Sequence, residues 1–265
     1  MQIDQRLSFE KTLSFINIMK YLEIAGHSFQ ALNTASFCNL IQSRIRNTSS
    51  ISPMCITLIN MHCLALLKKH PKFNKFYKDT EYVYIDGMPI IWMLKMLGQP
   101  FNSSYRLTVL DWHHHIFNVA NINNCTVFLL GGKEGIAEKA SKYLGGIYPK
   151  LKILSHHGYL EDSIVPNTLL NESIDILLVG MGMPIEEEWI LANRSQLTVK
   201  IIIPVGGYFD YIAGNSYTPP RWTGRVGLEW LFRLGSSPLR LGHRYLIEPW
   251  PVIIRFFYEF FKRRK

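Results

Sequence analysis

Several short signatures that would assign a chemistry at once are missing from this 265-residue chain. It has no Asp-x-Asp pair, the metal-binding mark of many nucleotide-sugar enzymes. It has neither a dinucleotide Gly-x-Gly-x-x-Gly nor a phosphate loop ending in Lys-Ser or Lys-Thr, which argues against a nicotinamide-dependent oxidoreductase. Cysteine is scarce: Cys38, Cys55, Cys63 and Cys125 show no metal-ligand pairing, and the N-terminus lacks the apolar block of a signal peptide, so a reducing cytoplasm is expected. Repeats and low-complexity tracts are absent. The aromatic C-terminal stretch is broken by Glu248, Arg255 and Glu259 well short of the roughly 20 apolar residues of a spanning helix. With 48% hydrophobic and 18% charged residues the chain is globular and long enough for a sizeable core.

What is present begins with three apolar runs that each end in glycine. Thr126–Leu130 leads into Gly131-Gly132, Ile176–Val179 into Gly180-Met181-Gly182, and Ile201–Val205 into Gly206-Gly207. Continuous apolar runs suit strands buried on both faces, and parallel sheets bind ligands beyond their carboxyl ends. Further strands are expected at Met54–Asn60, Tyr82–Ile85 and Lys152–Leu154. Helices are expected near Phe9–Ile24 and at Thr34–Ile45, His62–Lys69, Ile90–Leu97, Gly135–Leu144, Asn167–Ser173 and Glu186–Asn193. The alternation predicts an α/β, Rossmann-like layered domain over residues 1–215. The turn-rich Asn215–Pro220 then opens a basic, helical appendage over 216–265.

Asp86 stands where an apolar strand ends and a glycine lets the chain turn. A carboxylate there serves either as a general base toward a substrate hydroxyl or as the N-cap of the next helix. Thr57 and Asn60, at the end of the preceding strand, add a hydroxyl and an amide to the same rim. Arg106 either reaches a phosphate bidentately or pairs with Asp111. His113-His114-His115 is no metal site, because consecutive helical residues point about 100° apart. His156-His157-Gly158-Tyr159, after the strand at 152, either lines the pocket or is a loop.

Residues 220–265 hold ten Lys or Arg against three Glu, so they supply +7 of the net +9. Ten aromatic residues interleave with that charge, which suits an anionic membrane surface better than nucleic acid. On a helix, Trp250, Ile253, Ile254, Phe257 and Phe261 share one face, the pattern of an interfacial amphipathic helix or of a terminal helix packed on its own domain.

Set in order, these segments resemble the WecG/TagA/CpsF glycosyltransferases, bacterial enzymes of surface-polysaccharide and teichoic-acid synthesis. The resemblance runs from about Thr57 to Tyr245. It is carried by Thr57–Asn60, Ile85-Asp86-Gly87-Met88-Pro89, Arg106 with Asp111, Leu130–Gly132, Gly158-Tyr159, Val179–Pro184 with Glu187 and Trp189, and Val205–Gly207. Its most specific piece is Gly227-Leu228-Glu229-Trp230-Leu231-Phe232-Arg233-Leu234 before Pro238, Arg240 and Arg244-Tyr245.

The resemblance implies an inverting, metal-independent transfer from a UDP-sugar to a polyprenyl-diphosphate-linked saccharide, with no cofactor. Asp86 would be the base, with Thr57 beside it. Asn60, Arg106, Gly131, Gly132, Gly182, Glu186, Gly206 and Gly207 would line the substrate site. The appendage would dock on the inner face of the cell membrane and bring Arg221, Arg233, Arg240 and Arg244 near the site, Arg233 foremost by motif. Family members form oligomers, and an exposed apolar appendage invites self-association.

Several positions depart from the family pattern. Pro184-Ile185-Glu186-Glu187 stands where the family reads Pro-Lys-Gln-Glu, Val109 replaces a glycine, and Thr218 replaces the Arg of Arg-Ala-Pro-x-Trp. A carboxylate beside a diphosphate is repelled, so Glu186 must turn away, be paired, or address a sugar hydroxyl. The Asp-Gly-Met-Pro and Thr-Pro-Pro-Arg-Trp forms point to an exopolysaccharide branch.

Overall fold

In the computed structural model, residues 20–47, 52–159 and 165–262 are described, without the side chains of Arg225 and Arg240. Eight strands form one sheet: β1 (Lys20–Ile24), β2 (His27–Leu32), β3 (Met54–Ile59), β4 (Tyr82–Ile85), β5 (Thr126–Gly131), β6 (Lys152–His156), β7 (Ile174–Gly180) and β8 (Val199–Pro204). Their order is β1-β2-β4-β3-β8-β7-β5-β6. Only the β1–β2 pair is antiparallel; every other pair is parallel.

Period-two alternation along the inner strands fills two apolar layers. Leu177 and Val179 of β7 enter one layer and Ile176 and Leu178 the other. The first layer is covered by α2 (Met61–Leu66), α3 (Pro71–Lys78), α4 (Met88–Met96) and α8 (Ile185–Asn193), through residues such as Cys63, Phe73, Ile90 and Trp189. The second is covered by α1 (Thr34–Arg46), α5 (Val109–Ile122), α6 (Ile136–Ile147) and α9 (Tyr208–Ile212), through Phe37, Trp112, Leu144 and Tyr208. A short α7 (Asn167–Asn171) precedes β7. The sequence reading of a doubly covered parallel sheet therefore holds.

The two halves of the chain meet in the middle of the sheet, with β1–β4 on one side and β5–β8 on the other. The joining pair, β3 and β8, is in register only at Met54–Ile201 and Cys55–Ile202. Beyond that point β3 pairs with β4 and β8 with β7, so no ladder closes the sheet between their carboxyl ends. This is the topological switch point at which open α/β sheets take ligands.

Two local expectations are corrected. The helix read near Phe9–Ile24 lies partly outside the described residues, and its last part, Lys20–Ile24, is strand β1. It pairs with β2 through a two-residue turn, Ala25-Gly26, in which both residues have positive φ (53° and 81°), the geometry of a tight hairpin. Helix α3, opened by Pro71 in its first turn, was not anticipated.

After Pro220 the chain becomes a run of helices: α10 (Arg221–Arg225), α11 (Glu229–Ser236), α12 (Pro238–Gly242), a π-helical turn at His243–Ile247, and α13 (Pro249–Lys262). Val252 on α13 packs on the first apolar layer. Gly227, with φ +77°, comes so close to Trp92 and Met88 of α4 that an added Cβ would lie 2.9 Å from the Trp92 ring. The appendage is thus seated on the α2 and α4 side of the core.

Candidate active site

Asp86 sits one residue past β4. Its N–H donates to the Ile59 carbonyl at 2.9 Å, fixing the end of β4 to the end of β3. The next residue, Gly87, has φ +116°, a conformation L side chains rarely adopt, and turns the chain into α4. Gly87, not Asp86, occupies the N-cap position of α4, and no side chain caps it. The capping role left open by the sequence is therefore not what Asp86 does.

Asn60 Nδ2 instead donates to Asp86 Oδ2 at 3.3 Å. Asn60 Oδ1 accepts from Cys63 N at 2.9 Å, so the same amide caps α2 and steers the carboxylate. Burial raises the Asp86 pKa above the usual carboxylate range. Arg233, the Asn60 hydrogen bond and Arg106 oppose that shift, and Glu229 adds to it. A carboxylate so placed is a stronger base than a free aspartate.

A chain of ion pairs runs from the core into the appendage. Arg106, its side chain 8% exposed, donates from Nη1 to Asp111 Oδ2 at 3.2 Å and from Nη2 to Glu229 Oε2 at 2.7 Å. Glu229 Oε1 accepts from Arg233 Nη2 at 2.5 Å and Nε at 3.1 Å. Asp111 also accepts from the Thr108 backbone and hydroxyl at the start of α5 and pairs with Arg221. Burial works to raise the Asp111 pKa, but the Thr108 hydrogen bonds, Arg221 and Arg106 hold it below the ordinary value. For Arg233 burial works against the charge, yet Glu229, Tyr211 and Asp86 raise its pKa. The sequence offered a phosphate contact or an Asp111 pair for Arg106; the structure shows the pair and adds Glu229. Gly224 is fixed by this network, because a Cβ there would lie 2.0 Å from Arg106 Nη2.

These residues enclose a cleft of about 270 Å³. The core contributes Asn60, His62, Asp86 and Arg106. The appendage contributes Glu229, Trp230, Arg233, Arg244, Tyr245 and Ile253. Arg244 Nε is buried without a hydrogen-bond partner among the described residues. His62 Nδ1 lies 2.5 Å from Glu248 Oε2, tying α2 to the entry of α13. Burial and Arg244 lower the His62 pKa, against the pull of Glu248. Sequence reasoning missed His62, Tyr245 and the role of Glu229. The Glu229–Arg233 spacing of four residues on α11 was the available signal for the last.

Other expected site residues fall elsewhere. Thr57 is fully buried, because strand parity turns it toward α3; its hydroxyl lies 3.4 Å from that of Tyr77, which donates to the Leu58 carbonyl at 2.6 Å. It does not line the cleft with Asp86. The glycine turns do share one sheet edge, as read, but none of their residues lines the cleft. Gly132 N donates to Gly180 O at 2.8 Å, and a Cβ on Gly131 would lie 2.2 Å from Gly180 O. Gly182 N and Gly206 N, with Met181 N, all donate to Glu186 Oε2 at 2.9–3.1 Å. Gly207 is exposed where α9 begins. Gly131 thus serves close backbone approach, while Gly182, Gly206 and Gly207 have open space where a Cβ would stand; the Gly132, Gly182 and Gly206 amides are engaged internally. The Arg240 side chain lies outside those described.

Glu186 itself is 1% exposed, so of the fates open to it the structure shows pairing with backbone N–H groups. Burial, against those three donors, raises its pKa to about 7. Its neighbour Glu187 is fully buried with both oxygens lacking partners among the described residues, and burial together with Glu186 pushes it well upward.

Of the three consecutive histidines, His113 is buried, with Nδ1 3.2 Å from the Val109 carbonyl and a pKa lowered by burial to about 4. His114 Nδ1 lies 2.9 Å from the Tyr148 hydroxyl. Among the described residues no three His, Cys, Asp or Glu side chains converge to hold a metal ion.

A sequence model described as the glycosyl transferase WecG/TagA/CpsF family matches residues 22–265. Curated relatives from two Staphylococcus aureus strains, MRSA252 and MW2, are each 26% identical over 223 residues, covering 83% of this chain and 87% of the relative. Both are named N-acetylglucosaminyldiphosphoundecaprenol N-acetyl-beta-D-mannosaminyltransferase.

Proposed function

Because this chain belongs to the WecG/TagA/CpsF glycosyl transferase family, we propose that it moves a hexose from a UDP-sugar to a saccharide linked through diphosphate to a polyprenyl lipid. The observation that carries the reading is the meeting of Asp86 with Arg106, Arg233 and Arg244 in one cleft at the sheet's switch point. The curated relatives act on a lipid-diphosphate acceptor by name, and such an acceptor needs a base for its hydroxyl and cations for its phosphates. Asp86 takes the proton of the acceptor hydroxyl as that oxygen attacks the anomeric carbon. The bond to UDP breaks with its electron pair leaving on the diphosphate, and single displacement inverts the anomeric centre. Guanidinium groups already aimed at the cleft stabilise the departing charge, a role that needs no metal.

The appendage supplies the membrane contact in this reading. No helix among the described residues is long and apolar enough to cross a membrane. Helix α13 instead has two apolar faces. Val252, Ile253, Phe256 and Phe260 are partly buried, while Trp250, Ile254, Phe257, Tyr258 and Phe261 are exposed. Ile253, grouped with the outer stripe in the sequence reading, belongs to the inner face. The exposed stripe beside the basic C-terminus suits an anionic bilayer surface on the inner side of the cell membrane. The Asp86-Gly87-Met88-Pro89 form, which resembles the exopolysaccharide branch of the family, supports an exopolysaccharide as the class of product.

UDP release tests this directly, with a panel of UDP-sugars, each with and without a short-chain lipid-diphosphate saccharide, in chelator. Acceptor-dependent release supports a metal-free transferase and names the donor. No release from folded protein with any pair would favour a second reading, a non-catalytic binder of UDP-sugar or lipid diphosphate within a polysaccharide assembly. The observation favouring that second reading is Glu186, which fills a cluster of backbone N–H groups with its own carboxylate.

A further inference from the structure

Two of the arginines in the cleft are held by a single carboxylate that comes from the appendage. We propose that Glu229 is a positioning residue of the transfer reaction: accepting from Arg106 of the core and Arg233 of α11, it fixes both guanidinium groups around Asp86 and completes the charge balance in which that base works. The inference rests on the transferase reading above.

The geometry is specific. Each oxygen of Glu229 serves one arginine, Oε2 taking Arg106 Nη2 at 2.7 Å and Oε1 taking both Nη2 and Nε of Arg233. The Glu229 side chain is only 15% exposed. Neither partner has room to rearrange freely. The Arg106 guanidinium is pressed on Gly224, where a Cβ would also lie 2.9 Å from Glu229 Oε2, and its other nitrogen is held by Asp111. Arg233 lies 5.5 Å from the Tyr211 ring centre. Glu229 thus joins the segment between α4 and α5, helix α10 and helix α11 at one point, and that point is a wall of the Asp86 cleft.

The consequence for Asp86 is electrostatic. The charged and titratable groups lining its cleft are Arg106, Arg233, Arg244, Glu229, His62 and Tyr245; Tyr84, beneath it on β4, also feels its charge. With Glu229 ionised, one negative charge is shared between two of the three arginines and offsets part of their charge. Without it, more of their positive charge falls on Asp86, which then holds a proton less readily and is a weaker base. Burial raises the Asp86 pKa and Glu229 adds to that rise, while Arg233 and Arg106 oppose it.

Full-length Glu229→Gln and Glu229→Asp variants test this by acceptor-dependent UDP release across pH. Melting curves of each, with and without Asp86→Asn, read the titration of Asp86 without turnover. Glu229→Gln should lower kcat about tenfold, leave the donor KM within about threefold, and move both the acid limb and the Asp86 titration down by about one pH unit. Glu229→Asp, keeping the charge, should leave the limb within about 0.3 unit. A limb and titration that stay in place in Glu229→Gln overturn the proposal, whatever happens to the rate, because a merely structural role would leave them there; wild-type kcat overturns it too. Wild-type protein that releases no UDP overturns the transferase reading, and the melting titration still decides on Glu229. Should Glu229→Gln fail to fold, Arg233→Lys, which gives up the two-nitrogen fork, must lower kcat about tenfold with the limb in place, and wild-type kcat there rejects the role.

Discussion

The two halves of the sheet end in opposite ways along one edge. At the ends of β5, β7 and β8, backbone polar groups turn on one another or on Glu186, and Gly131 and Gly180 let chain meet chain. At the ends of β3 and β4, one amide and one carboxylate face a cleft whose far wall is the appendage. The glycine-rich half draws the eye in the sequence, yet its polarity is spent internally. The plainer half holds the groups that have something left to offer.

The largest test of that contrast is Asp86→Asn. It should cut acceptor-dependent UDP release by roughly 10²–10⁴-fold, the span of a lost general base, while circular dichroism shows the fold intact. A folded variant with wild-type turnover would break the assignment. Next comes Gly224→Ala, in which the new methyl meets Arg106 Nη2. It should lower kcat/KM about tenfold and cost about 2 kcal/mol in urea unfolding, as overpacking does; an innocuous substitution would mean the ion-pair wall is loose.

The smallest effect on turnover is expected from Glu186→Gln on the other half: a rate within about threefold of wild type, since glutamine still offers an oxygen to the three amides. Its effect on stability has a definite sign. The folded Glu186 carboxyl has a pKa raised to about 7 from the ordinary 4.5, so its contribution is fully present below about 4.5 and lost as pH rises through about 7. The variant should therefore melt higher than wild type at pH 8, by a shift equivalent to about 3 kcal/mol, and the difference should vanish near pH 4.5. Glu187, shifted in the same direction, stays in both proteins. A large loss of turnover would erase the contrast between the halves.

Much of this was legible in the chain. Continuous apolar runs such as Ile176–Val179 announced a sheet buried on both faces, and Asp86 was marked by its place before glycine. The hairpin at Ala25-Gly26 was hidden because an alanine takes a positive φ that its sequence does not advertise. Thr57 was misplaced because parity on a strand decides which side it faces, and neighbours in sequence do not reveal that the other side holds Tyr77. Glycine announces freedom of the backbone without saying whether a ligand or another strand will come close. Gly131 and Gly180 are of the second kind. Glu229 escaped notice as a site residue because its partner Arg106 is 123 positions away.

Helix α13 presents one set of side chains to the cleft and another outward. A helix with its side chains is about 10–12 Å across. In the membrane-docked reading, a lipid tail left in place beneath the outer stripe would need only its diphosphate and first sugar to climb that distance to meet Asp86. The search for acceptor would then be a lateral one, over a surface, and the thickness of one helix would act as a ruler for how long the head group has to be.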